Sequence, residues 1–126
     1  HLPSDGITAS RLRAYAPEDF IIGRSVHSKE EAKDADSNGD VDYLLFGTIY
    51  PSQSKPGVTA AGVDLLEAVA QAVALPTLAI GGVSVENIQE LSENGASGFA
   101  GISIFSGSMR NFTKTVHEMR LAFDSV

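Results

Sequence analysis

The feature that most constrains the fold of this chain is the alternation of short apolar segments with helical segments. Four segments are mostly apolar along their length, as strands covered on both faces of a parallel sheet usually are: Asp19–Gly23, Tyr43–Phe46, Pro76–Ile80 and Phe99–Ile104. Each is followed by a segment that we predict to be helical: residues 28–39, Val63–Val73, Val85–Glu93 and Met109–Phe123. The pattern predicts four parallel βα units.

Residues at the ends of the helical segments support this division. Ser28 followed by Glu31 has the pattern of a capping box, in which the serine hydroxyl accepts a bond from a backbone N–H of the first turn. Gly39 suits the left-handed conformation that often ends a helix. Ser84 is in the position to cap the third helical segment. We therefore expect strands and helices to alternate with short connections.

A further helix and part of a strand precede the first unit. The segment Ile7–Tyr15 is predicted to be helical, with Ser4 or Asp5 as its cap, and His1-Leu2 is interpreted as the end of an earlier strand. With 126 residues, the chain fits one domain over residues 1–126. Because a (β/α)8 barrel takes about 250 residues, the pattern fits either a small open sheet or half of a barrel.

The composition narrows the possible classes of function. Lys and Arg total 9 against 16 Asp and Glu, a formal net charge of -7, so we expect no nucleic-acid partner. The chain contains no cysteine, which excludes disulfides and thiolate metal sites and fits a cytoplasmic protein. No segment is apolar over the length that a membrane span requires, so we expect no membrane partner.

The segment Gly47–Gly57 is the strongest candidate for a ligand-binding loop. It follows an apolar strand and contains Lys55, its single charged side chain, beside the hydroxyls of Ser52 and Ser54. In parallel α/β proteins, ligands bind at the carboxyl ends of the strands, where such loops lie. Most surface lysines are simply solvated, but hydroxyl donors on the same short loop favour a role in binding phosphate or pyrophosphate.

Small residues also stand at the ends of the last two predicted strands: Gly81 and Gly82, Gly101 to Ser103, and Ser106, Gly107 and Ser108. Glycine lets a ligand approach the backbone, and N–H groups at a helix start favour an anion. The first pair of glycines equally suits a tight turn between strand and helix. Two such loops at neighbouring strand ends indicate a phosphate site more strongly than either loop alone.

Two polar side chains follow the first predicted strand. Ser25 and His27 alternate along the chain, so an extended backbone would point both toward the same ligand mouth. His27 is a candidate general acid or base, although a hydrogen-bonded histidine at a strand end is an equally simple interpretation. No spacing of Asp, Glu and His predicts a metal site.

Taken together, four motifs resemble one protein family in their order and spacing: Gly23–Ser28, Phe46–Gly57, Ala79–Val83 and Gly101–Phe105. This is the thiamine phosphate synthase / TenI family, whose members fold as TIM barrels. The resemblance covers essentially the whole chain, but only the C-terminal part of the family, from about the end of its fourth strand. It implies an α/β fold of parallel βα repeats that forms the C-terminal half of a TIM (β/α)8 barrel, so that the domain is incomplete.

The resemblance implies a role in thiamine biosynthesis. The synthase is a transferase that joins hydroxymethylpyrimidine diphosphate to thiazole phosphate and releases pyrophosphate, which leaves before the thiazole nitrogen captures the pyrimidine cation. By motif, Ser25 falls at the pyrophosphate and pyrimidine site, and the Lys55 loop grips pyrophosphate and thiazole phosphate. The residues that we expect to bind substrate or phosphate are Ser25, Ser52, Ser54, Lys55, Gly81, Gly82, Ile102 and Ser103.

Departures from the family pattern leave three hypotheses open. A synthase would use Mg²⁺, but the carboxylate position falls on Gly6, beside Asp5, and the other ligands belong to the absent part of the barrel. A TenI-type thiazole tautomerase would need no cofactor, and its acid/base histidine falls at Thr48. The third hypothesis is a non-catalytic half-barrel that binds phosphate.

The partners follow from these hypotheses. The expected ligand is a small molecule that carries phosphate or pyrophosphate. A half-barrel exposes open strand edges, which tend to pair with other chains. We therefore expect either a homo-oligomer formed through these edges or a natural protein with more residues before His1, and we expect the fragment alone to be inactive.

Overall fold

The sheet has four parallel strands, which lie side by side in the order in which they occur in the chain. The structure is a computed structural model that describes residues 1–106 and 109–125. Its elements are α1 (Ala9–Arg13), β1 (Gly23–Val26), α2 (Lys29–Asn38), β2 (Tyr43–Gly47), α3 (Gly62–Ala70), β3 (Thr77–Ile80), α4 (Ile88–Glu93), β4 (Gly98–Ala100), a 3₁₀ turn (Ser103–Phe105) and α5 (Met109–Phe123).

The strand register brings the carboxyl ends of the strands to one edge of the sheet. Gly47, the last residue of β2, lies opposite Ile80 at the end of β3. Ile80 in turn lies opposite Ala100 at the end of β4. Leu2 forms an isolated parallel bridge with Arg24, as expected for the end of a further strand. The prediction of four parallel βα units is confirmed.

The helices cover one face of the sheet. The hydrophobic core lies between this face and the helices. Leu44, Phe46 and Ala79 point from the strands into this layer and are fully buried. The helices contribute further fully buried side chains: Ala32, Leu66, Val69, Ile88 and Leu91. Burying a leucine or phenylalanine side chain contributes about 1.5–3 kcal/mol, so this layer holds the helices and the strand ends in fixed positions.

The opposite face of the sheet carries residues that are only half-buried. They are Ser25, Leu45, Leu78 and Ile80, which alternate along the strands with the core residues. At the carboxyl edge of the sheet, Ser25, Leu45 and Ile80 of this face line a cavity. The alternation therefore separates the residues that stabilise the fold from those that face the cavity.

The first strand lies later in the chain than predicted. The predicted segment Asp19–Gly23 is mostly outside the sheet, because β1 begins only at its last residue. Phe20 and Ile21 are 50% and 70% exposed, so these apolar side chains do not enter the core. The Ile22 N–H donates to the Asp42 carboxylate, at 2.7 Å, rather than to a strand. Pairing with β2 consequently starts one residue further on.

The fourth strand is shorter than predicted. The expected strand covers Phe99–Ile104, but β4 spans only Gly98–Ala100 and the 3₁₀ turn follows it. A Cβ on Gly101 would lie 2.6 Å from Cγ2 of Ile104, so the chain folds back on itself directly after the strand. Glycine accommodates this close contact without displacing the Ile104 side chain. The prediction of a continuous strand is wrong beyond Ala100.

Helix α3 ends at Ala70, before the predicted end at Val73. The carboxylate of Asp36 on α2 accepts hydrogen bonds from the N–H groups of Ala74 and Leu75, both at 3.2 Å. These bonds fasten the connection between α3 and β3 to α2. The helical pattern of the sequence continues past Ala70. The N–H groups of Ala74 and Leu75, however, donate to Asp36 instead of to carbonyls of a longer α3.

The predicted cap of α2 is confirmed in its main contact. The Ser28 hydroxyl accepts from the Glu31 N–H at 3.1 Å, and Gly39 ends the helix in the left-handed conformation with φ of 69°. The Glu31 carboxylate, however, accepts from the N–H of His27 at 2.8 Å. In a capping box the Glu31 carboxylate would accept from the N–H of Ser28, but here it accepts from the N–H of the preceding residue, His27.

The predicted cap of α4 is wrong. The helix begins at Ile88 rather than at Val85, and Ser84 makes no cap with its side chain. Instead, the Ser84 N–H donates to Oδ1 of Asn87 at 2.8 Å, and Nδ2 of Asn87 donates to the carbonyl of Gly82 at 2.9 Å. An asparagine inside the predicted helix thus organises the loop before it.

Helix α1 is also shorter than the predicted segment Ile7–Tyr15. Thr8 occupies its N-cap position without a side-chain cap bond, and the expected caps, Ser4 and Asp5, lie before the helix. Helix α5 has the predicted bounds. Across the described parts of the chain, no helix combines the length and the apolar character needed to cross a membrane.

Asp42 joins the start of β2 to the segment before β1. Its Oδ2 accepts from the Ile22 N–H at 2.7 Å and from Nη2 of Arg13 at 2.8 Å. The Ile22 N–H and, second, the Arg13 guanidinium hold the pKa of Asp42 below its ordinary value. The carboxylate is 47% exposed, so solvent screens much of this interaction.

We predict that Asp42→Asn lowers the free energy of unfolding at neutral pH by less than about 1 kcal/mol. The amide still accepts from Ile22, but the ion pair with Arg13 is lost. Because the folded-state pKa of Asp42 is depressed, its contribution is present above the unfolded pKa and disappears as the pH falls through the folded value. Urea unfolding curves should therefore differ between wild type and variant at neutral pH and converge in acid.

The matched control is Asp124→Asn, which also removes the partner of an arginine, Arg120, but on an exposed pair at the end of α5. It should leave the unfolding curve unchanged. A constant difference between wild type and Asp42→Asn down to strongly acid pH would contradict the role given to the Asp42 charge.

Candidate functional site

A cavity opens at the carboxyl edge of the sheet, where all four βα connections meet. It is lined by Ser25, His27, Leu45, Gly47, Thr48, Ser52, Ser54, Lys55, Ile80, Gly81, Gly82, Val83, Gly101, Ile102 and Ser103. The eight residues that we expect to bind substrate or phosphate are all in this set, and so is His27. The structure thus brings the predicted residues together, while their roles in binding stay a prediction.

The end of β1 supplies Ser25 and His27, which both line the cavity, as their alternation predicts. The His27 ring is held by a 2.8 Å hydrogen bond between its Nδ1 and the carbonyl oxygen of Gly47. Because a carbonyl can only accept, Nδ1 carries the proton, and in the neutral ring Nε2 is the basic nitrogen. This geometry leaves Nε2 of the neutral ring as a proton acceptor, the role of a general base.

His1 and Tyr43 surround Ser25 on the side away from the loops. His1 Nε2 lies 2.8 Å from Oγ of Ser25, and His1 Nδ1 lies 3.1 Å from the Tyr43 hydroxyl. The His1 and Tyr43 rings stack with centroids 5.6 Å apart. The Tyr43 ring packs over Gly23, where the Cβ of any other residue would collide with the ring. The interpretation of His1-Leu2 as the end of an earlier strand does not predict this cluster.

We call residues Pro51–Gly57 the anion loop. Within it, Ser54 N–H donates to Oγ of Ser52 at 3.3 Å and Lys55 N–H donates to the Ser52 carbonyl at 3.3 Å. The turn brings Ser52, Ser54 and Lys55 to the same cavity. Lys55 itself is exposed, so its ammonium group is hydrated and free to reorient toward a ligand.

Both ends of the anion loop are fixed by backbone hydrogen bonds. Before it, Ile49 N–H donates to the Ile80 carbonyl and Tyr50 N–H donates to the Gly81 carbonyl, each at 3.0 Å. After it, Ala61 N–H donates to the carbonyl of Thr48 at 2.8 Å. These bonds extend the contact between the β2 and β3 ends beyond the sheet and place the anion loop beside Gly81 and Gly82.

We call residues Gly81–Ser84 the glycine loop. Gly81 and Gly82 have φ of 103° and 65°, in the range that favours glycine. A Cβ on Gly82 would lie 2.6 Å from the Pro51 carbonyl oxygen and 2.7 Å from Cβ of Tyr50. The glycines therefore allow the glycine loop to touch the anion loop. The close approach of the two loops is by itself a sufficient reason for glycine at this position. The evidence for phosphate binding is therefore the cavity that the two loops share.

The last connection contributes Gly101, Ile102 and Ser103. Ile102 is 66% exposed, an unusual position for isoleucine, and Ser103 begins the 3₁₀ turn. The first N–H groups of a helical turn have no partner within the turn, so they are available to an anion. Of the predicted Ser106–Ser108 segment, Gly107 and Ser108 lie outside the described residues.

The electrostatics of the lining favour an anion. The lining residues that the structure describes include one lysine and one histidine but no carboxylate, although the chain as a whole carries a formal net charge of -7. At physiological ionic strength, exposed charges further away than about 8 Å are largely screened. A bound phosphate would therefore interact mainly with Lys55 and the backbone N–H groups rather than with the acidic surface.

The residues of this cavity do not fit a magnesium ion. Proteins usually hold Mg²⁺ through one or two carboxylates together with substrate phosphates, and no lining residue is Asp or Glu. Among the described residues, no group of three or more His, Cys, Asp or Glu side chains is placed to hold a metal. We therefore assign no step of the chemistry to a metal bound by these residues.

Several lining residues were not predicted as site residues. Leu45 lies opposite Ser25 in the register of β1 and β2, and Ile80 lies opposite Gly47. Side-chain alternation along the strands would have identified both, because each shares a face with a predicted site residue. They give the cavity an apolar floor beneath its polar loops.

Comparison with known proteins gives consistent matches. The family described as thiamine monophosphate synthase matches residues 1–105. The thiamine-phosphate synthase of Pyrococcus horikoshii is 38% identical over 107 residues, which cover 85% of this chain and 51% of that protein. The corresponding protein of Pyrococcus abyssi is 36% identical over 114 residues, which cover 90% of this chain and 54% of that protein.

A solved structure, thiamine phosphate pyrophosphorylase from Pyrococcus furiosus, matches with a TM-score of 0.84 at 30% identity. The match covers 98% of this chain and 57% of that chain. The fold and the position of the cavity define a barrel-type α/β protein, the C-terminal half of a TIM (β/α)8 barrel, as predicted. More particularly, the chain belongs to the thiamine monophosphate synthase family. It spans about half the length of the curated relatives that it matches.

We predict that Gly82→Ala lowers the free energy of unfolding more than Gly39→Ala does. The two glycines have nearly equal φ, 65° and 69°, so the backbone cost of alanine should be similar, about 1–2 kcal/mol. A Cβ on Gly82 would also collide with the anion loop, whereas a Cβ on Gly39 meets nothing within 4 Å. The difference between the two variants in the free energy of unfolding, measured by urea unfolding, gives the cost of the steric collision. Equal losses of stability would show that the two loops do not touch.

Proposed function

We propose that the full-length protein is a thiamine-phosphate synthase. In this proposal it joins hydroxymethylpyrimidine diphosphate to thiazole phosphate and releases pyrophosphate. The family match and the names of the curated relatives support the activity. The observation that carries it is that one cavity collects Lys55 together with the serines of the anion loop and both glycine-containing strand ends.

The reaction needs two anions to lie close together. The bond between the pyrimidine methylene carbon and the diphosphate oxygen breaks, and pyrophosphate leaves with the electron pair. The thiazole nitrogen then donates its lone pair to the methylene carbon, so the new C–N bond forms without transfer of a proton. Because charge develops on the leaving pyrophosphate, a cation and fixed donors at that position stabilise the transition state.

The residues of this chain would divide this work between two parts of the cavity. The thiazole phosphate would bind the backbone at Gly82, Ile102 and Ser103. Lys55 would bridge from there to the leaving pyrophosphate, with the hydroxyls of the anion loop as further donors. Ser25 would contact the pyrimidine side. Mg²⁺, if the full-length protein uses it, would need ligands other than the residues that line this cavity.

A TenI-type thiazole tautomerase is the second candidate. It is favoured by the absence of a carboxylate from the described cavity lining, since tautomerisation needs no metal. Thr48, which is 8% exposed, stands where the resemblance places the histidine of that branch. His27, with its basic Nε2, would then have to move the proton. A non-catalytic phosphate-binding half-barrel is the third candidate. A cytoplasmic location fits all three candidates and stays a prediction.

We predict that Lys55→Ala weakens the binding of inorganic pyrophosphate about tenfold, because a hydrogen bond to a charged group contributes about 1.5 kcal/mol or more. The measurement is isothermal titration calorimetry at low salt. Lys33→Ala is the matched control, since it removes the same charge from an exposed position on α2 and should leave the affinity unchanged. Equal affinities of wild type and Lys55→Ala would eliminate the proposed role of Lys55.

Turnover of the full-length protein separates the candidates. We expect Mg²⁺-dependent release of pyrophosphate when both synthase substrates are supplied, and no isomerisation of a thiazole carboxylate phosphate. The reverse result, metal-independent isomerisation without pyrophosphate release, would select the tautomerase. Binding of pyrophosphate without either reaction would select the non-catalytic candidate.

The open edges of the sheet lead to a further prediction. Beyond the Leu2 bridge to β1, nothing within the described residues pairs with the outer edge of β1 or of β4. Exposed parallel edges favour association, so we expect the isolated residues 1–126 to form a homo-oligomer. Light scattering during size-exclusion chromatography measures the mass. A folded monomer of 13.2 kDa would contradict this expectation.

A further inference from the structure

The anion loop has few attachments to the rest of the molecule. Within the described part of the chain, the hydrogen bonds of residues 51–60 run only between residues of this segment. Ser52 is partly buried, but residues 53–59 are exposed. The position of Lys55 therefore depends on how firmly the two ends of the loop are held. Any side chain that fixes an end of the loop will influence where the ammonium group can reach.

Tyr50, directly before the anion loop, makes such an attachment. Its hydroxyl donates to Oε2 of Glu90 on α4 at 2.6 Å and approaches the Asn87 carbonyl at 3.4 Å. Its N–H donates to the Gly81 carbonyl. Tyr50 therefore joins the anion loop both to the end of β3 and to the helix that follows it.

The phenol remains a donor across the working pH range. Burial raises the pKa of Tyr50, and the hydrogen bond to the Glu90 carboxylate raises it further. A phenol bonded to a carboxylate makes a charge-assisted hydrogen bond, which is stronger than one between neutral groups. The contact between the loop and α4 is thus maintained under the conditions in which the enzyme would act.

The same turn of α4 also holds the glycine loop. Asn87, one residue before the helix, bonds the Ser84 N–H and the Gly82 carbonyl through its side-chain amide. Glu90, three residues later in the first turn of the helix, holds Tyr50. The first turn of α4 consequently sets the distance between the anion loop and the backbone of the glycine loop.

We propose that Tyr50 and Glu90 form a latch that fixes the anion loop to α4 and so positions Lys55 opposite the anion held by the glycine loop. Both are positioning residues, because neither lines the cavity. The inference rests on the proposed function in one respect, the anion that Lys55 binds. The attachment of the loop is a property of the protein without ligand and can be measured separately.

The test compares Tyr50→Phe and Glu90→Ala, which break the bond, with Glu90→Gln, which keeps an oxygen acceptor but loses the charge. Hydrogen–deuterium exchange of the ligand-free, full-length protein reports on the amides of Tyr50 and Ala61, which are hydrogen-bonded at the two ends of the loop. Calorimetry with inorganic pyrophosphate reports on the positioning of Lys55. Thermal unfolding reports on global stability.

We expect Tyr50→Phe and Glu90→Ala to accelerate exchange at these amides and to weaken pyrophosphate binding about fivefold, the effect of about 1 kcal/mol. Glu90→Gln should keep both the amide exchange rates and the pyrophosphate affinity close to those of the wild type. The melting temperature should change little. Glu93→Gln, on the next turn of α4 and bonded to Gln89, is the control that should behave as wild type.

Unchanged exchange in Tyr50→Phe would overturn the latch. Faster exchange with wild-type affinity, in a protein whose Lys55→Ala variant does lose affinity, would show that the latch does not position Lys55 and would also overturn the inference. A lower melting temperature without a change in affinity would indicate a purely structural role. If wild type binds no pyrophosphate, the proposed function fails, and the exchange data alone decide whether the loop is latched.

Discussion

The site depends on a pair of backbone hydrogen bonds just beyond the sheet. The N–H groups of Ile49 and Tyr50 donate to the carbonyls of Ile80 and Gly81, and these bonds carry the pairing of β2 and β3 into their loops. As a result, the lysine-bearing loop lies directly against the glycine loop. The contact is so close that a side chain at Gly82 would collide with it. The rest of the cavity is arranged around this junction.

The electrostatic environment of the cavity differs from that of the chain as a whole. The chain is acidic overall, yet the described lining of the cavity combines a lysine, a histidine, several hydroxyls and glycine backbone without any carboxylate. Backbone donors and a single cation are enough to attract a phosphate when the nearest opposing charges are screened by salt. A small anionic ligand, rather than a nucleic acid, stays a prediction from the acidic composition.

Much of this could be predicted from the sequence, because the deciding signals are local. Continuous apolar segments indicate parallel strands, and the motifs around Lys55 and Gly82 occur at strand ends, which a parallel sheet necessarily brings together. Two features that the sequence does not predict share a physical cause. The start of β1 depends on the bond from Ile22 to Asp42, and the attachment of Tyr50 to Glu90 joins residues 40 positions apart. Neither contact leaves a periodic pattern in the sequence.

We propose that the anion loop and the two glycine-containing strand ends form one anion site. An NMR titration of the full-length, isotope-labelled protein with inorganic pyrophosphate, followed through the backbone amides, tests this directly. We predict that the amides of Lys55, Gly82 and Ser103 shift together with one shared dissociation constant. Shifts confined to one of these loops, or different dissociation constants for different loops, would contradict it.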